Sequence, residues 1–100
     1  MSHRLIFTEG FRSDIADHVD YLRSQHAAGD VIERWYDRLF DRLETLCTWP
    51  RSCSVDERAT AEQGHEVRKL IHGRYIITYH VDDAPQRVVL LGMIHGARRR

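Results

Sequence analysis

Seven histidines, two cysteines and fifteen Lys or Arg side chains are what this chain of 100 residues has for doing chemistry. Their spacing excludes several kinds at once. Cys47 and Cys53 stand too far apart for a C-x2-C half-site, and neither His65 nor His72 supplies the second pair a zinc site requires. Cys47 also falls on the apolar side of a helical pattern, where a thiol serves as a small hydrophobe. No metal and no cofactor is expected. No Ser or Cys occupies a Gly-flanked nucleophile elbow, and no Gly-rich loop can cradle a phosphate. Gly64 and Gly73 are isolated and read as turn residues. The adjacent carboxylates Asp82 and Asp83, which an acid–base reading would pair, fit a hairpin turn running into Ala84-Pro85.

What remains lies in the second half. Arg68, Lys69, Arg74, Arg87, His95 and Arg98-Arg99-Arg100 stand on or beside predicted strands, and Tyr75 and Tyr79 share one strand face because side chains alternate with period two. This pattern has two readings. One is a solvated sheet edge whose charges block aggregation. The other is a basic, aromatic-bearing surface for RNA, a DNA-associated protein or an acidic peptide. The formal charge is zero, but residues 1–50 hold six Arg against nine Asp or Glu, and residues 51–100 hold nine Lys or Arg against six. The halves therefore carry −3 and +3. All the basic residues but Lys69 are Arg, whose planar fork of donors suits carboxylates, phosphates and aromatic faces.

The elements that position these residues follow from periodicity. Residues 3–7 predict a short strand. Thr8 offers an N-cap oxygen, and Phe11, Ile15, Val19 and Leu22 follow at helical spacing. Gly29-Asp30 is expected to break this helix and cap the next. The second helix carries a wide apolar stripe through Trp35-Tyr36, Leu39-Phe40, Leu43 and Leu46-Cys47, and ends before Pro50. The two should form an antiparallel hairpin. Residues 48–65 are polar, with one or two helical turns expected over Val55–Glu62. Three strands follow at 67–71, 74–81 and 87–95. The last is apolar on both faces, with Val88, Leu90 and Ile94 on one and Val89, Leu91 and Met93 on the other, as a central strand should be. The expected fold is α+β, in the order β-α-α-β-β-β, with a helical hairpin packed on a small, mostly antiparallel sheet. Trp35, Tyr36, Leu39, Phe40, Leu43 and Ile77 are its expected core. The apolar content of 42% and charged content of 30% fit a folded domain and exclude a disordered chain. No apolar run approaches the roughly 20 residues of a membrane span. The opening residues lack a signal-peptide core, so no membrane contact and a cytoplasmic location are expected.

Several segments carry a resemblance. Leu5-Ile6-Phe7-Thr8 leads into Ile15-x3-Val19-x2-Leu22. Leu43-x2-Leu46 precedes Trp49-Pro50. Then come Val67-Arg68-Lys69-Leu70, Gly73-Arg74-Tyr75-Ile76-Ile77-x-Tyr79-x-Val81, and the ending Ile94-His95-Gly96-Ala97-Arg98. In this order they resemble the RelE/ParE superfamily of toxins from bacterial type II toxin–antitoxin (plasmid stabilisation) modules, and the ending is closer to the ParE branch. The resemblance spans residues 3–98 and implies a single toxin domain over residues 1–100. ParE-like toxins inhibit DNA gyrase. RelE-like toxins cleave mRNA on the ribosome, a reaction that needs a proton acceptor, a proton donor and cations for the phosphorane. In a RelE-like reading His95 would be the base and Arg68, Arg74 and Arg98 the charge stabilisers. Lys69 is the only Lys, and no Tyr follows Tyr79, so the set for cleavage is thin. In a ParE-like reading no residue is catalytic, and Arg68, Lys69, Arg74, Tyr75, His95 and Arg98 bind the target. The resemblance further implies a cognate ParD-like antitoxin in a hetero-oligomer, received by Tyr21 and Tyr36 on the hairpin and by Arg74 and Arg98 beside the sheet. An inactive or retargeted family member and a stand-alone nucleic-acid-binding domain are the remaining alternatives. The family's ending continues into an acidic residue and a short apolar tail, whereas Arg99-Arg100 stand here.

Overall fold

A computed structural model describes residues 3–96 of the protein. The elements are β1 (Arg4–Phe7), α1 (Glu9–Ser24), α2 (Gly29–Thr48), α3 (Glu57–Gln63), β2 (Arg68–His72), β3 (Tyr75–Asp83) and β4 (Gln86–His95). The strands form one sheet in the order β1-β4-β3-β2, with β1 parallel to β4 and the other pairs antiparallel. The α+β class, the helical hairpin and the central last strand agree with the sequence reading. The order gains α3, so that the stretch expected to make a turn or two is a capped helix. The buried Asp56 carboxylate accepts from the Ala59 N–H at 3.1 Å, and Gly64 at φ +79° closes the other end, a conformation that glycine adopts without a Cβ clash.

Thr8 caps α1 as its position suggested, accepting from the Phe11 N–H at 3.2 Å. The helix ends in a Schellman-type turn, with His26 at φ +60° and the Ala27 N–H donating to the Leu22 carbonyl at 3.0 Å. The start of α2 differs from expectation. Ala28 is the N-cap and makes no side-chain bond, while Asp30 lies inside the first turn and pairs with Arg34 at 3.4 Å. There its charge meets the positive helix end.

Phe11 and Ile15 of α1, Leu39, Leu43 and Leu46 of α2, and Leu70, Ile77, Tyr79, Val88, Leu90 and Met93 of the sheet form the buried cluster. Each fully buried leucine of α2 truncated to Ala would cost about 2–5 kcal/mol. Trp35 and Phe40 pack against this cluster, whereas Tyr36 is exposed and does not belong to it. The paired carboxylates are not the turn. Asp82 and Asp83 end β3 opposite Arg87 and Gln86, leaving Ala84-Pro85 between the strands. Asp82 receives Arg87 Nη2 at 2.7 Å, and Asp83 receives both terminal nitrogens of Arg51 at 3.1 and 2.8 Å. That pairing holds the Asp83 carboxyl below its usual range.

Strict alternation along β4 fails at one residue. Tyr79 pairs with Leu90 but Thr78 pairs with Gly92, so Leu91 is an extra residue and the strand carries a bulge. Val88, Leu90, Met93 and His95 consequently face the helices, and Val89 and Ile94 face away, which exchanges the expected places of Met93 and Ile94. The start of α1 holds this bulge. β1 leaves the sheet after Phe7, opposite Leu90, and α1 takes over the vacated edge. The Thr8 hydroxyl donates to the Leu90 carbonyl at 2.7 Å, and Asp14 Oδ2 accepts from the Met93 N–H at 2.9 Å. The approach is close enough that a Cβ on Gly92 would lie 3.0 Å from Asp14 Oδ2, and one on Gly10 would lie 3.2 Å from the Leu91 carbonyl.

Asp14→Ala should therefore lower the unfolding free energy by about 1–3 kcal/mol, because it strands a partly buried N–H. Asp14→Asn, which keeps an acceptor oxygen, should lose less. Urea denaturation of the three proteins measures both.

Candidate functional site

The α1–α2 hairpin is not closed along its length. Between the helices, beside the end of β1, runs a groove of about 550 Å³. Phe11, Ile15, Val19, Tyr36 and Phe40 are among the apolar residues lining it, and Arg12, Asp20 and Arg23 lie at its polar margin. The helices build it through period. Arg12, Ala16, Val19 and Arg23 recur on one face of α1, and Tyr36 and Phe40, four apart on α2, stack with ring centroids 4.5 Å apart. Arg12 also stands over the Phe7 ring at 6.0 Å. Tyr36, expected in the core and on the antitoxin-receiving side of the hairpin, lines this groove, and Arg12 and Arg23, which the sequence reading did not single out, border it at the 12-16-19-23 spacing.

A second feature lies where the hairpin meets the end of the sheet. The buried His18 ring lies 4.3 Å from Trp35 and 4.5 Å from Tyr75, centroid to centroid. Tyr75 in turn meets its cross-strand neighbour His95 edge-on at 5.3 Å, and the exposed Tyr21 lies 6.2 Å from His18 on the other side. Burial, and next the nearby His95, lower the pKa of His18. His18 was not anticipated, although it continues the Phe11, Ile15 spacing on the buried face.

The expected site residues are thereby divided. Tyr75 and His95 come together, on the helix side of the sheet. Arg74 is next to them at the exposed β2–β3 turn, where its carbonyl accepts from the Gly96 N–H at 2.7 Å. Lys69 is opposite Thr78 on the other face. Arg68 is opposite Tyr79, four residues of β3 from the Tyr75–His95 pair, or about 13 Å at strand rise. Its guanidinium is also committed. Nη1 donates to the Cys53 carbonyl at 2.7 Å and the Arg51 carbonyl at 3.3 Å, Nε donates to Glu66 at 3.0 Å, and the side chain is 16% exposed. Below it the Tyr79 hydroxyl donates to the Pro50 carbonyl at 2.9 Å, and burial pushes its pKa up. Arg68 and Tyr79 thus fasten the segment after α2 to the sheet. Tyr21 and Tyr36, expected on one antitoxin surface, are separated: Tyr36 lines the groove, and Tyr21 borders the aromatic cluster. Arg98 lies outside the described residues. Both cysteines are free and half-buried, with burial raising the Cys47 pKa. Among the described residues no group of three His, Cys, Asp or Glu could hold a metal ion, and no helix is long and apolar enough to cross a membrane.

A small sheet carrying a grooved helical hairpin, with Arg51, Arg68 and Arg87 fastening its segments, is compatible with the RelE/ParE-type toxin fold. The family model described as "ParE toxin of type II toxin-antitoxin system, parDE" matches residues 5–100, and the chain belongs to that family. It is a toxin of a type II toxin–antitoxin module, and membership implies an antitoxin partner. No curated protein sequence matches it.

Two outcomes follow from this geometry. Arg68→Ala should destabilise the fold by about 1.5–3 kcal/mol, since it removes charged hydrogen bonds to two carbonyls. Arg74→Ala should stay within about 0.5 kcal/mol of the parent, as exposed substitutions do. Thermal denaturation of both variants separates the fastener from the free cation.

The second outcome concerns pH. Burial lowers the pKa values of His18, His72 and His80 below the ordinary value of about 6.5. Nearby Arg42 and Arg38 add to the shift of His72, whereas Asp82 opposes that of His80. The unfolded chain then binds more protons than the folded one below about pH 7, so stability should fall as pH drops through 6.5 toward the folded values. His18→Phe keeps a ring in the cluster and removes one titrating group. Its melting temperature should fall less than the parent's between pH 7.5 and 5.5, and an equal fall would exclude His18 as a source.

Proposed function

We propose that this toxin acts as a ParE-like inhibitor of DNA gyrase, working by protein–protein binding, and that a ParD-like antitoxin neutralises it by laying an apolar segment with acidic flanks into the α1–α2 groove. The observation that carries the first part is the separation of Arg68 from His95. An RNA-cleaving reading asks Arg68 to stabilise charge beside a base at His95, and these groups are some 13 Å apart along the sheet. Arg68 is moreover held by the Arg51 and Cys53 carbonyls. A gyrase poison needs no such set. It needs only to bind the cleaved-DNA state of the enzyme better than the resealed state, because differential affinity alone shifts that equilibrium.

The antitoxin part rests on the groove. Its floor is aromatic and aliphatic, Arg12 and Arg23 with the single carboxylate Asp20 stand at its margin, and its length along two helices suits an amphipathic helix presenting anchors at i, i+4 and i+7. Such a segment, unstructured alone, orders on the surface that completes its apolar face.

Expression of the toxin alone tests the reading. Gyrase poisoning predicts filamentous cells, an SOS response and trapped cleavage complexes on supercoiled DNA in the presence of purified gyrase. Codon-positioned mRNA cuts with gyrase turnover undisturbed would overturn it. Tyr36→Ala should weaken antitoxin binding at least tenfold, as loss of an aromatic anchor does, and leave gyrase trapping intact.

A further inference from the structure

The face of the sheet turned away from the helices is not uniformly polar. Ile71 is paired with Ile76, and Ile76 with Ile94, so the three lie side by side across β2, β3 and β4. Ile71 is 51% and Ile94 42% exposed, and Ile76 is half-buried between them. Two strand spacings make this ridge about 10 Å wide. It exists because of the β4 bulge, which turns Ile94 outward. Beside it, at the end of the sheet, is a shallow depression of about 520 Å³ that Ile71, Ile76, Arg74 and Gly96 help to line together with Tyr75 and His95 from the helix side. The next row of the same face is Lys69, Thr78 and Gly92.

Two cations, Lys69 and Arg74, border the ridge, and one carboxylate, Asp14, lies at the β4 edge of the next row, close to Gly92. Lys69 and Arg74 form no ion pair with the described residues. Three nearby carboxylates are ion-paired, Glu66 with Arg68, Asp82 with Arg87 and Asp83 with Arg51, while Asp14 accepts from the Met93 N–H at the sheet edge and keeps its charge. A second copy of this chain suits such a patch less well, because a two-fold contact would bring together the Lys69 and Arg74 cations of both copies with only the two Asp14 carboxylates to meet them. A nucleic-acid backbone does not suit it either, because binding to phosphates needs cations and donors where the isoleucines stand. The chemistry that fits is a protein surface with an apolar centre and Asp or Glu at its margin.

We propose that the Ile71–Ile76–Ile94 ridge, with Lys69 and Arg74 beside it, is the surface by which the toxin grips its target protein, on the opposite side of the sheet from the antitoxin groove. This rests on the reading of gyrase as the target. An apolar centre with a charged rim is the usual anatomy of a protein interface, and a few central anchors carry most of its energy. Separate surfaces let the two partners be disrupted independently.

The test uses Ile71→Glu/Ile94→Glu in the full chain, with circular dichroism and antitoxin binding as controls for the fold. Both positions are exposed, so the variant should fold and bind antitoxin as the parent does. Its affinity for purified gyrase should fall at least 100-fold, with cleavage complexes no longer trapped. Arg74→Glu should weaken gyrase binding about tenfold and reduce its salt dependence. If the double glutamate variant fails to fold, Ile71→Thr/Ile94→Thr keeps the β-branched shape and should still lose at least tenfold. Parent-like trapping by a folded ridge variant would overturn the ridge while leaving gyrase as the target. Failure of the parent itself to bind gyrase would overturn both. Loss of antitoxin binding with trapping intact would assign the ridge to the antitoxin. A parent dimer that the variant dissolves would assign it to a second copy. Either of these two results would also overturn the proposal.

Discussion

The hydrogen bond from the Met93 N–H to Asp14, with the Thr8 hydroxyl on the Leu90 carbonyl, holds the arrangement on which both faces of the sheet depend. β1 is only four residues long and leaves its side of the longer β4 without a strand partner beyond Leu90. A bare edge there would leave backbone groups unsatisfied against a packed helix, a penalty of about 1–3 kcal/mol for each buried group. Side chains from the first turns of α1 supply the missing partners. They do so around one extra residue, Leu91, and two glycines allow the helix to come close enough. Because strand faces alternate with period two, that residue reverses everything after it. His95 joins the aromatic cluster under the hairpin, and Ile94 joins the exposed row on the other side.

The arginines divide into those that build the molecule and those left for other molecules. Arg68 holds the segment after α2, Arg51 holds the end of β3 through Asp83, and Arg87 closes on Asp82 across the last hairpin. Their forked donors suit these multidentate duties. Arg12 and Arg23 stand at the groove, where Arg12 Nε also donates to the Phe7 carbonyl at 3.2 Å and Arg23 lies 3.9 Å from Asp20, and Arg74 stands at the β2–β3 turn. An arginine-rich toxin chain is thus less of a polyanion-binding surface than its composition suggests. These surface cations border two apolar features on opposite sides of the sheet, a combination suited to protein partners carrying carboxylates.

That distribution fits the logic of a toxin–antitoxin module. An antitoxin must hold the toxin tightly yet be removable, and a segment that orders only on its partner supplies tight contact with a continuing entropic penalty. A long shallow groove between two helices offers such a segment many small contacts.

Much of this was legible from residue order. The apolar periods of α1 and α2, the cap at Thr8, the central position of β4 and the family resemblance over nearly the whole chain all follow from local pattern, because each element must bury one continuous stripe. The helix α3 was only half visible, since its seven residues, five polar and two Ala, have no apolar stripe of their own and depend on the caps at Asp56 and Gly64. The functional residues were harder to read. That Arg68 faces inward, that Tyr21 and Tyr36 part company, and that Ile94 rather than Met93 meets solvent are consequences of long-range contacts. The sequence by itself determined which segments are helix and strand, and to which family they belong. Only the tertiary structure decided which side each β4 residue takes, because a bulge is held by a helix some eighty positions away in the chain, and no local period records it.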